Sequence, residues 1–244
     1  AFALLSELGR LDALPPVQRL VGVPQDPIWH PEGDVFVHTL MVLDSAREIA
    51  STLDAREAEI LMLAALCHDL GKPETTTVAD ARVRSIAHEA ASARHTRECL
   101  ARLRFPERLV RVVAALVAEH LAPSQLVAQA SGPRAYRRLA RRLAAGGATC
   151  IQLERLARAD HLGRTTPEAL AGRYEAGPLF LAAVASAGVG EGPRPGVVTA
   201  ADLVDRGIRP GPELGRLLRR CRELEDESGS SDREEILARC LRGR

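Results

Sequence analysis

Apolar positions recur along this chain at the three-to-four-residue spacing of an α-helix, and short polar or proline-rich stretches interrupt them. From Val35 the pattern turns helical: Val37, Leu40, Met41 and Ile49 mark about four turns, with His38 near the start. A second helix begins near Ala55 and runs into Leu61-Met-Leu-Ala-Ala-Leu-Cys-His-Asp-Leu-Gly-Lys72, where it is stopped by Gly71 and Pro73. Further helices are predicted over Ile86–Arg104, Pro106–Leu121, Pro133–Leu143, Thr149–Leu162 and Pro167–Ala187. Several open with a proline in the first turn, where its missing N–H has no helical partner to lose. A short helix, Phe2–Leu8, precedes a break at Pro15-Pro16.

Two intervening stretches read as loops. Residues 24–34 hold three prolines and a glycine, so they form an ordered loop. Residues 73–85, polar and β-branched at Thr75–Thr77, are expected to cross as a loop over the mouth of whatever His68-Asp69 builds, and no strand is predicted anywhere. The Gly/Pro-rich stretch 188–198 is the clearest linker. Beyond it come Ala200–Asp205, a helix from Glu213 to Leu224, an acidic Ser/Gly-rich loop at 225–231, and a last helix, Asp232–Leu241. The expected organisation is all-α: an N-terminal helical segment (1–26), a main helical body (27–187), the linker (188–198) and a small C-terminal helical appendage (199–244).

Composition sharpens this. A chain of 244 residues can bury a sizeable core as one large domain with an appendage. Hydrophobic residues make up 46% but aromatics only 3%, a balance that favours helix over sheet. The lone tryptophan, Trp29, is expected to anchor the 24–34 loop on the core, the alternative being that it lines a pocket. A net charge of +1 implies no global affinity for polyanions, so any such affinity must be local. The five scattered cysteines form no Cys-x-x-Cys pair and suit a reducing cytoplasm. No signal peptide is visible, and the apolar runs look shorter than the ~20 residues that span a bilayer, so a cytoplasmic protein without a membrane partner is expected.

Two patterns carry chemistry. A buried helix that ends in an imidazole beside a carboxylate needs partners for both, and a divalent metal would supply them; a polar cap on a core helix is the bland alternative. His38, His68, Asp69 and Asp160 all fall on predicted helices, as when a bundle aims side chains from several helices at one interior site. Such a donor set suits one or two ions of Ni, Co, Mn, Fe or Zn, and Mg less well. Separately, Arg134, Arg137, Arg138, Arg141 and Arg142 form a basic stripe on one helix, repeated more weakly by Arg216, Arg219 and Arg220. A solvated face is the default for such a run; the alternative is a surface tracking the phosphates of an RNA or DNA end. No aromatic platform accompanies the stripe, so binding there would be weakly sequence-selective.

His38, His68-Asp69 and Asp160 together resemble the H…HD…D signature of the HD superfamily of metal-dependent phosphohydrolases. Further motifs are similar to the HD domain of bacterial CCA-adding tRNA nucleotidyltransferases: Trp29-His-Pro-Glu-Gly-Asp34, Val37-His-Thr-Leu-Met-Val42, Leu66-Cys-His-Asp-Leu-Gly-Lys-Pro73, Ala87-His-Glu89, Ala159-Asp-x-x-Gly-Arg164 and Arg206-Gly-Ile-Arg-Pro-Gly-Pro-Glu-Leu-Gly215. The resemblance implies an HD helical bundle in which His88 and His120 complete a second metal site bridged by Asp69. Phosphate or water contact without a metal, or a helix C-terminal cap by His120, are the other readings. Lys72 could set an ammonium over a bound phosphate and Arg164 could clamp it; the other readings are a solvated surface lysine and a surface arginine at the helix end. Of the other histidines, His30 is expected to make a loop hydrogen bond, His95 to pack or face solvent, and His161 to look away from Asp160.

The implied activity is hydrolysis at phosphorus, with Asp69 and Lys72 catalytic. Its substrates would be 2′,3′-cyclic phosphates, nucleoside 2′- or 3′-monophosphates, or phosphorylated RNA or DNA ends. Two rivals stand beside it: a non-catalytic tRNA-binding or scaffold part of a nucleotidyltransferase system, and a nucleotidase or dNTP triphosphohydrolase acting on free nucleotides. One departure from the resemblance matters. Gly146-Gly147 is not followed by the Asp-x-Asp or Asp-x-Glu of a nucleotide-adding head, and Glu225-Asp226-Glu227 lies in the tail without such a turn before it. The chain is therefore not expected to add nucleotides, and reads as a stand-alone HD protein or the HD-bearing part of something longer.

Overall fold

The computed structural model describes residues 2–80 and 82–242. Two short helices, α1 (Phe2–Glu7) and α2 (Pro15–Gln18), lead through the proline-rich loop into α3 (Val35–Ala50) and α4 (Ala55–Cys67). After α5 (Lys72–Thr75) comes a hairpin, β1 (Thr76–Ala79) with β2 (Arg82–Ser85), then α6 (His88–Arg102), α7 (Glu107–Ala118) and α8 (Ala122–Ala128). The chain continues through α9 (Pro133–Gly146), α10 (Cys150–Leu162), α11 (Pro167–Leu170) and α12 (Ala176–Ser186) to α13 (Ala200–Val204), α14 (Pro212–Ser228) and α15 (Arg233–Leu241). The fold is thus all-α, with one two-stranded antiparallel ribbon among the described residues.

The helices begin where the side chains can satisfy their first N–H groups. Asp34 caps α3, accepting from the Val37 N–H at 2.8 Å and also from the Gly22 N–H at 2.6 Å, which pins the preceding loop to the helix start. Asp54 caps α4 through the Arg56 and Glu57 N–H groups, both at 2.9 Å. Thr149 and Gln152 form a capping box at α10. The apolar faces of α3, α4, α7, α9, α10 and α12 share one core that includes Val42, Ala64, Val117, Leu139, Leu156 and Phe180. A second, smaller core of Val198, Leu203, Ile208, Cys221, Ile236, Leu237 and Cys240 holds the last three helices. All five cysteines are buried and unpaired.

Two glycines allow close approaches that bring the site together. A Cβ on Gly71 would fall 2.4 Å from the Ser92 backbone nitrogen and 2.6 Å from the His88 carbonyl oxygen, so the turn after His68-Asp69 can lie directly on α6. A Cβ on Gly163 would fall 2.7 Å from both Cα and N of Val42, so the end of α10 can lie against α3. Neither is a left-handed turn; both positions need glycine for space.

Several expectations are corrected. Residues 76–85 hold the ribbon, in the register Thr76↔Ser85 and Val78↔Val83, where a loop was expected; its mostly exposed strands have no apolar face to betray them. The helix expected over 167–187 is two, α11 and α12, divided around Gly172 at a left-handed φ of 68°. Helices α5 and α8 were not foreseen, and Glu225–Ser228 forms the last turn of α14 rather than a loop. The stretch 188–198 is not fully solvated, since Val189 and Val198 are buried. Trp29 is 62% exposed and so does not anchor its loop on the core. One stretch, Glu107–Ala128, has the 22-residue length and mean hydropathy (1.2) of a membrane span, contrary to the sequence expectation; Val112, Val113, Leu116 and Val117 within it face the core.

The basic stripe on α9 is largely engaged inside the chain. Arg137 donates to the Asp226 and Ala187 carbonyls at 2.9 and 3.3 Å, and Arg141 donates to the Arg222 carbonyl at 3.2 Å and pairs with the Asp226 carboxylate. Arg134 pairs with Glu227 at 2.6 Å, and Arg142 grips Glu119 with two hydrogen bonds of 2.6 and 2.8 Å. Arg134, Arg137 and Arg141 therefore tie α14 to α9, while Arg134, Arg138 and Arg142 stay exposed along the same helix.

Candidate metal centre

His38 sits in the first turn of α3, His68 and Asp69 directly after α4, His88 at the start of α6, His120 just past α7, and Asp160 near the end of α10. Packing of these helices brings all six together, and all six are buried. The ring centroids step across the interior from His38 to His68 (5.4 Å), His68 to His120 (5.5 Å) and His120 to His88 (5.2 Å). Ligand-type atoms of His38, His68 and Asp69 lie within 4.8 Å of one another, and so do those of Asp69, His88 and His120. Asp69 belongs to both groups. Asp160 closes the first with Oδ1 3.1 Å from His38 Nε2.

Three of the imidazoles are oriented in one way. His68 Nδ1 lies 2.8 Å from the Ala65 carbonyl, His88 Nδ1 2.8 Å from that of Ser85, and His120 Nδ1 2.8 Å from that of Val117. Each is a carbonyl three residues earlier. A carbonyl can only accept, so Nδ1 carries the proton and Nε2 turns a lone pair into the site. His38 differs, lying between two carboxylates, with Nδ1 2.8 Å from Glu32 Oε1 and Nε2 3.1 Å from Asp160 Oδ1.

The donor set fits a divalent ion. His88 and His120 set their Nε2 atoms 3.3 Å apart, an arrangement of two lone pairs that only a cation or a proton between them relieves. His68 Nε2 and His88 Nε2 crowd the buried Asp69 oxygens at 3.2 and 3.3 Å without hydrogen-bond geometry, converging on a common interior point. Neutral imidazole and carboxylate are the ligands that first-row transition ions take, with no thiolate nearby.

Electrostatics follow from burial and close charges. Burial pushes the His120 pKa down to about 3, helped by His88 and His68, so this imidazole stays a neutral donor into the acid range. Burial alone would lower His68 as well, but Asp69 overrides it and the net shift is upward. For Asp69 burial works upward and is outweighed by His68, Lys72 and His88, which hold the carboxyl well below the usual range. Asp160 behaves likewise, held down chiefly by Arg164 and His38 against its burial.

Around these groups lies a cavity of about 240 Å³, open at one side, with Lys72, Arg164, Gln25 and Trp29 in its walls. Lys72 is buried, not a surface lysine; its Nζ stands 2.8 Å from Asp69 Oδ2 and donates to Gln25 Oε1 at 2.7 Å. Arg164 sends Nη2 to both Asp160 oxygens at 3.2 Å while lining the cavity, and is likewise no free surface cation. His161 turns away to stack near Tyr174, with ring centroids 5.0 Å apart. His95 lies off the centre and pairs with Glu74 at 2.9 Å. His30 makes its loop hydrogen bond to Glu32 at 2.9 Å but also lines the cavity.

Glu32 is the site residue that the sequence reading passed over. It accepts from His30 and stands against His38 with Oε1, and it accepts from the Thr165 N–H at 3.2 Å with Oε2, so it ties the loop, α3 and the end of α10 to one carboxylate. Its hydrogen bonds with His30 and His38 overcome burial and lower its pKa strongly. The signal was in Trp29-His-Pro-Glu-Gly-Asp34, a polar run too ordered for its composition.

Helices supplying imidazole and carboxylate to a shared interior centre are what the HD domain consists of. Residues 35–165 match that family, more than half of the chain, and the protein belongs to it. Over 222 residues the chain is 37% identical to the multifunctional CCA protein of Halorhodospira halophila, which covers 86% of this chain and 47% of that relative. It is also 45% identical over 106 residues to the multifunctional CCA protein of Dechloromonas aromatica, 43% of this chain and 24% of the relative. A third, from Cupriavidus taiwanensis, is 42% identical over 120 residues, 49% of this chain and 27% of the relative. The chain thus spans about half the length of the first of these relatives. HD-family membership and the clustered His and Asp side chains agree on a metal-dependent hydrolase family.

Proposed function

We propose that this protein is a metal-dependent phosphohydrolase acting on nucleotide phosphates: 2′,3′-cyclic phosphates, nucleoside 2′- or 3′-monophosphates, or phosphorylated RNA or DNA ends. The observation that carries the reading is the pair of ligand groups sharing Asp69. In this reading His38, His68, Asp69 and Asp160 hold one ion, and Asp69, His88 and His120 hold a second. A pair of divalent ions so placed supplies Lewis-acid activation of water and neutralises charge on phosphoryl oxygens.

The chain's own groups do the rest. Lys72 and Arg164, at the cavity wall, point fixed positive charge toward where those oxygens lie, and both are held in place before substrate arrives. Hydrolysis adds water across one P–O ester bond, its oxygen joining phosphorus and one proton passing to the departing hydroxyl. The resemblance of the HD motifs to those of CCA-adding tRNA nucleotidyltransferases supports an RNA end as one carrier of the phosphate. A non-catalytic scaffold has no use for a complete ligand set with fixed tautomers.

The test is metal analysis of the purified protein, then assays of bis-p-nitrophenyl phosphate and 2′,3′-cyclic AMP with Ni²⁺, Co²⁺ or Mn²⁺. Bound metal and turnover that Asp69→Ala abolishes are expected. No turnover with any of these ions would overturn the reading.

A further inference from the structure

The site described above accounts for the phosphate end of the cavity but not for Trp29. A chain with 3% aromatic residues leaves its single tryptophan 62% exposed, at the rim of the cavity that holds the metal centre. A buried indole would contribute more apolar contact to the core than any other side chain, so its position outside asks for a partner.

The loop that carries it is rigid and wired to the centre. Asp26 accepts from the Ile28 N–H at 2.9 Å through its side chain, and its carbonyl accepts from the Trp29 and His30 N–H groups at 3.1 and 2.8 Å. His30, the next residue, shares Glu32 with His38. On the other flank, Gln25 accepts from Lys72. The backbone that carries the indole is therefore held close to the groups that would grip phosphate. Val83 of β2 and Leu121 add apolar wall to the same cavity.

Volume decides what the rim would meet. The cavity, about 240 Å³, is smaller than the ~300–1,000 Å³ of pockets that enclose a whole small ligand. A nucleotide held by its phosphate at the His/Asp centre would therefore extend its base toward the opening, where Trp29 lines the cavity and is exposed.

We infer that Trp29 is the base platform of this site: its indole stacks on the nucleobase whose phosphate lies at the His/Asp centre, and so restricts the substrate to nucleotides without selecting one base. Stacking on an aromatic face is sequence-tolerant because every base has a π-face. The inference rests on the hydrolase reading for the phosphate end but is tested apart from it.

Because Trp29 is the only tryptophan, intrinsic fluorescence reports on it alone. Adenosine 3′-monophosphate and cytidine 3′-monophosphate are each expected to quench its emission saturably, while inorganic phosphate and ribose 5-phosphate do not. In turnover of 2′,3′-cyclic AMP, Trp29→Ala should raise KM about tenfold to a hundredfold with a smaller change in kcat, as the loss of one stacked base implies. Trp29→Tyr should recover most of the loss. Quenching by phosphate equal to that by the nucleotides, no quenching by any nucleotide, or an unchanged KM in Trp29→Ala would each overturn the inference. Turnover of bis-p-nitrophenyl phosphate together with absent nucleotide quenching sinks the platform and leaves the hydrolase; quenching without turnover does the reverse.

Discussion

At the scale of single residues, the centre depends on the groups that aim its imidazoles. Three of its imidazoles are aimed by backbone carbonyls, and no side-chain substitution can remove those. His38 is the exception, because Glu32 holds it. Glu32→Gln keeps the shape but weakens the acceptor and frees the ring to take the other tautomer. Metal affinity is expected to fall about 10–100-fold, read by competitive titration with a coloured chelator, while the same change at the solvent-exposed Glu98 should do nothing. A second residue tests burial away from the centre. Burial raises the Glu154 carboxyl above its usual range, with Arg158 and Arg155 opposing the shift. A raised native pKa means that the folded protein favours the protonated acid. That stabilising contribution is complete below the unfolded pKa of ~4.3 and is lost as pH rises through the native value, so at neutral pH the buried charge is a cost. Glu154→Gln should therefore raise Tm at pH 7–8, and the gain should shrink toward pH 4. A Tm gain that grew on acidification would contradict the burial argument.

At the scale of elements, the site exists because particular helix ends meet. The end of α10 reaches α3 only through Gly163, and Asp160 reaches His38 by the same approach. Gly163→Ala forces a methyl group into the Val42 backbone. A loss of about 1–3 kcal/mol in chemical denaturation is expected, together with a lower metal content. Unchanged stability with full metal content would show that the approach tolerates a Cβ. The long helices were legible in the chain because a sustained apolar period leaves no alternative for α3, α4, α6, α7 and α10. The hairpin was not. Thr76, Thr77, Val78 and Val83 carry β-branched side chains, but β1 is exposed at three of its four positions and the alternation in β2 runs over only four residues with one apolar side chain, too little to mark a strand. The break between α11 and α12 escaped for a related reason: Gly172 looks like any glycine in a helical pattern until the packing of both pieces demands a left-handed residue there.

At the scale of the whole molecule, the two hydrophobic clusters are fastened by charge. Arg137 and Arg141 reach from α9 to the backbone of Asp226 and Arg222 and to the Asp226 side chain, which is buried. Burial lifts the Asp226 carboxyl, and Arg141 and Arg137 work against that lift. Arg141→Ala strips the carboxylate of its partner and α14 of one tie. A loss of about 1–3 kcal/mol is expected, since unpairing a buried charge is costly but Arg141 is itself partly solvated. Faster cleavage within residues 188–198 under limited proteolysis checks where the loss falls; cleavage confined to other segments would place the fastening elsewhere.

The sequence by itself determined the class of fold and the centre's inner groups. Helical periodicity does not depend on distant neighbours, and imidazoles and carboxylates at the ends of apolar helices have few roles that repay their burial. His38, His68, Asp69, His88, His120 and Asp160 could all be picked out in this way, the second pair through resemblance. Only the tertiary structure decided what surrounds them. It placed Glu32 behind His38, pressed Lys72 and Arg164 onto the carboxylates, engaged Arg137 and Arg141 of the stripe with α14 and left Trp29 exposed at the cavity. Each of these is a choice between partners that lie far apart in the chain, and a charged or aromatic side chain reads the same in sequence whether it faces water, a helix or a ligand.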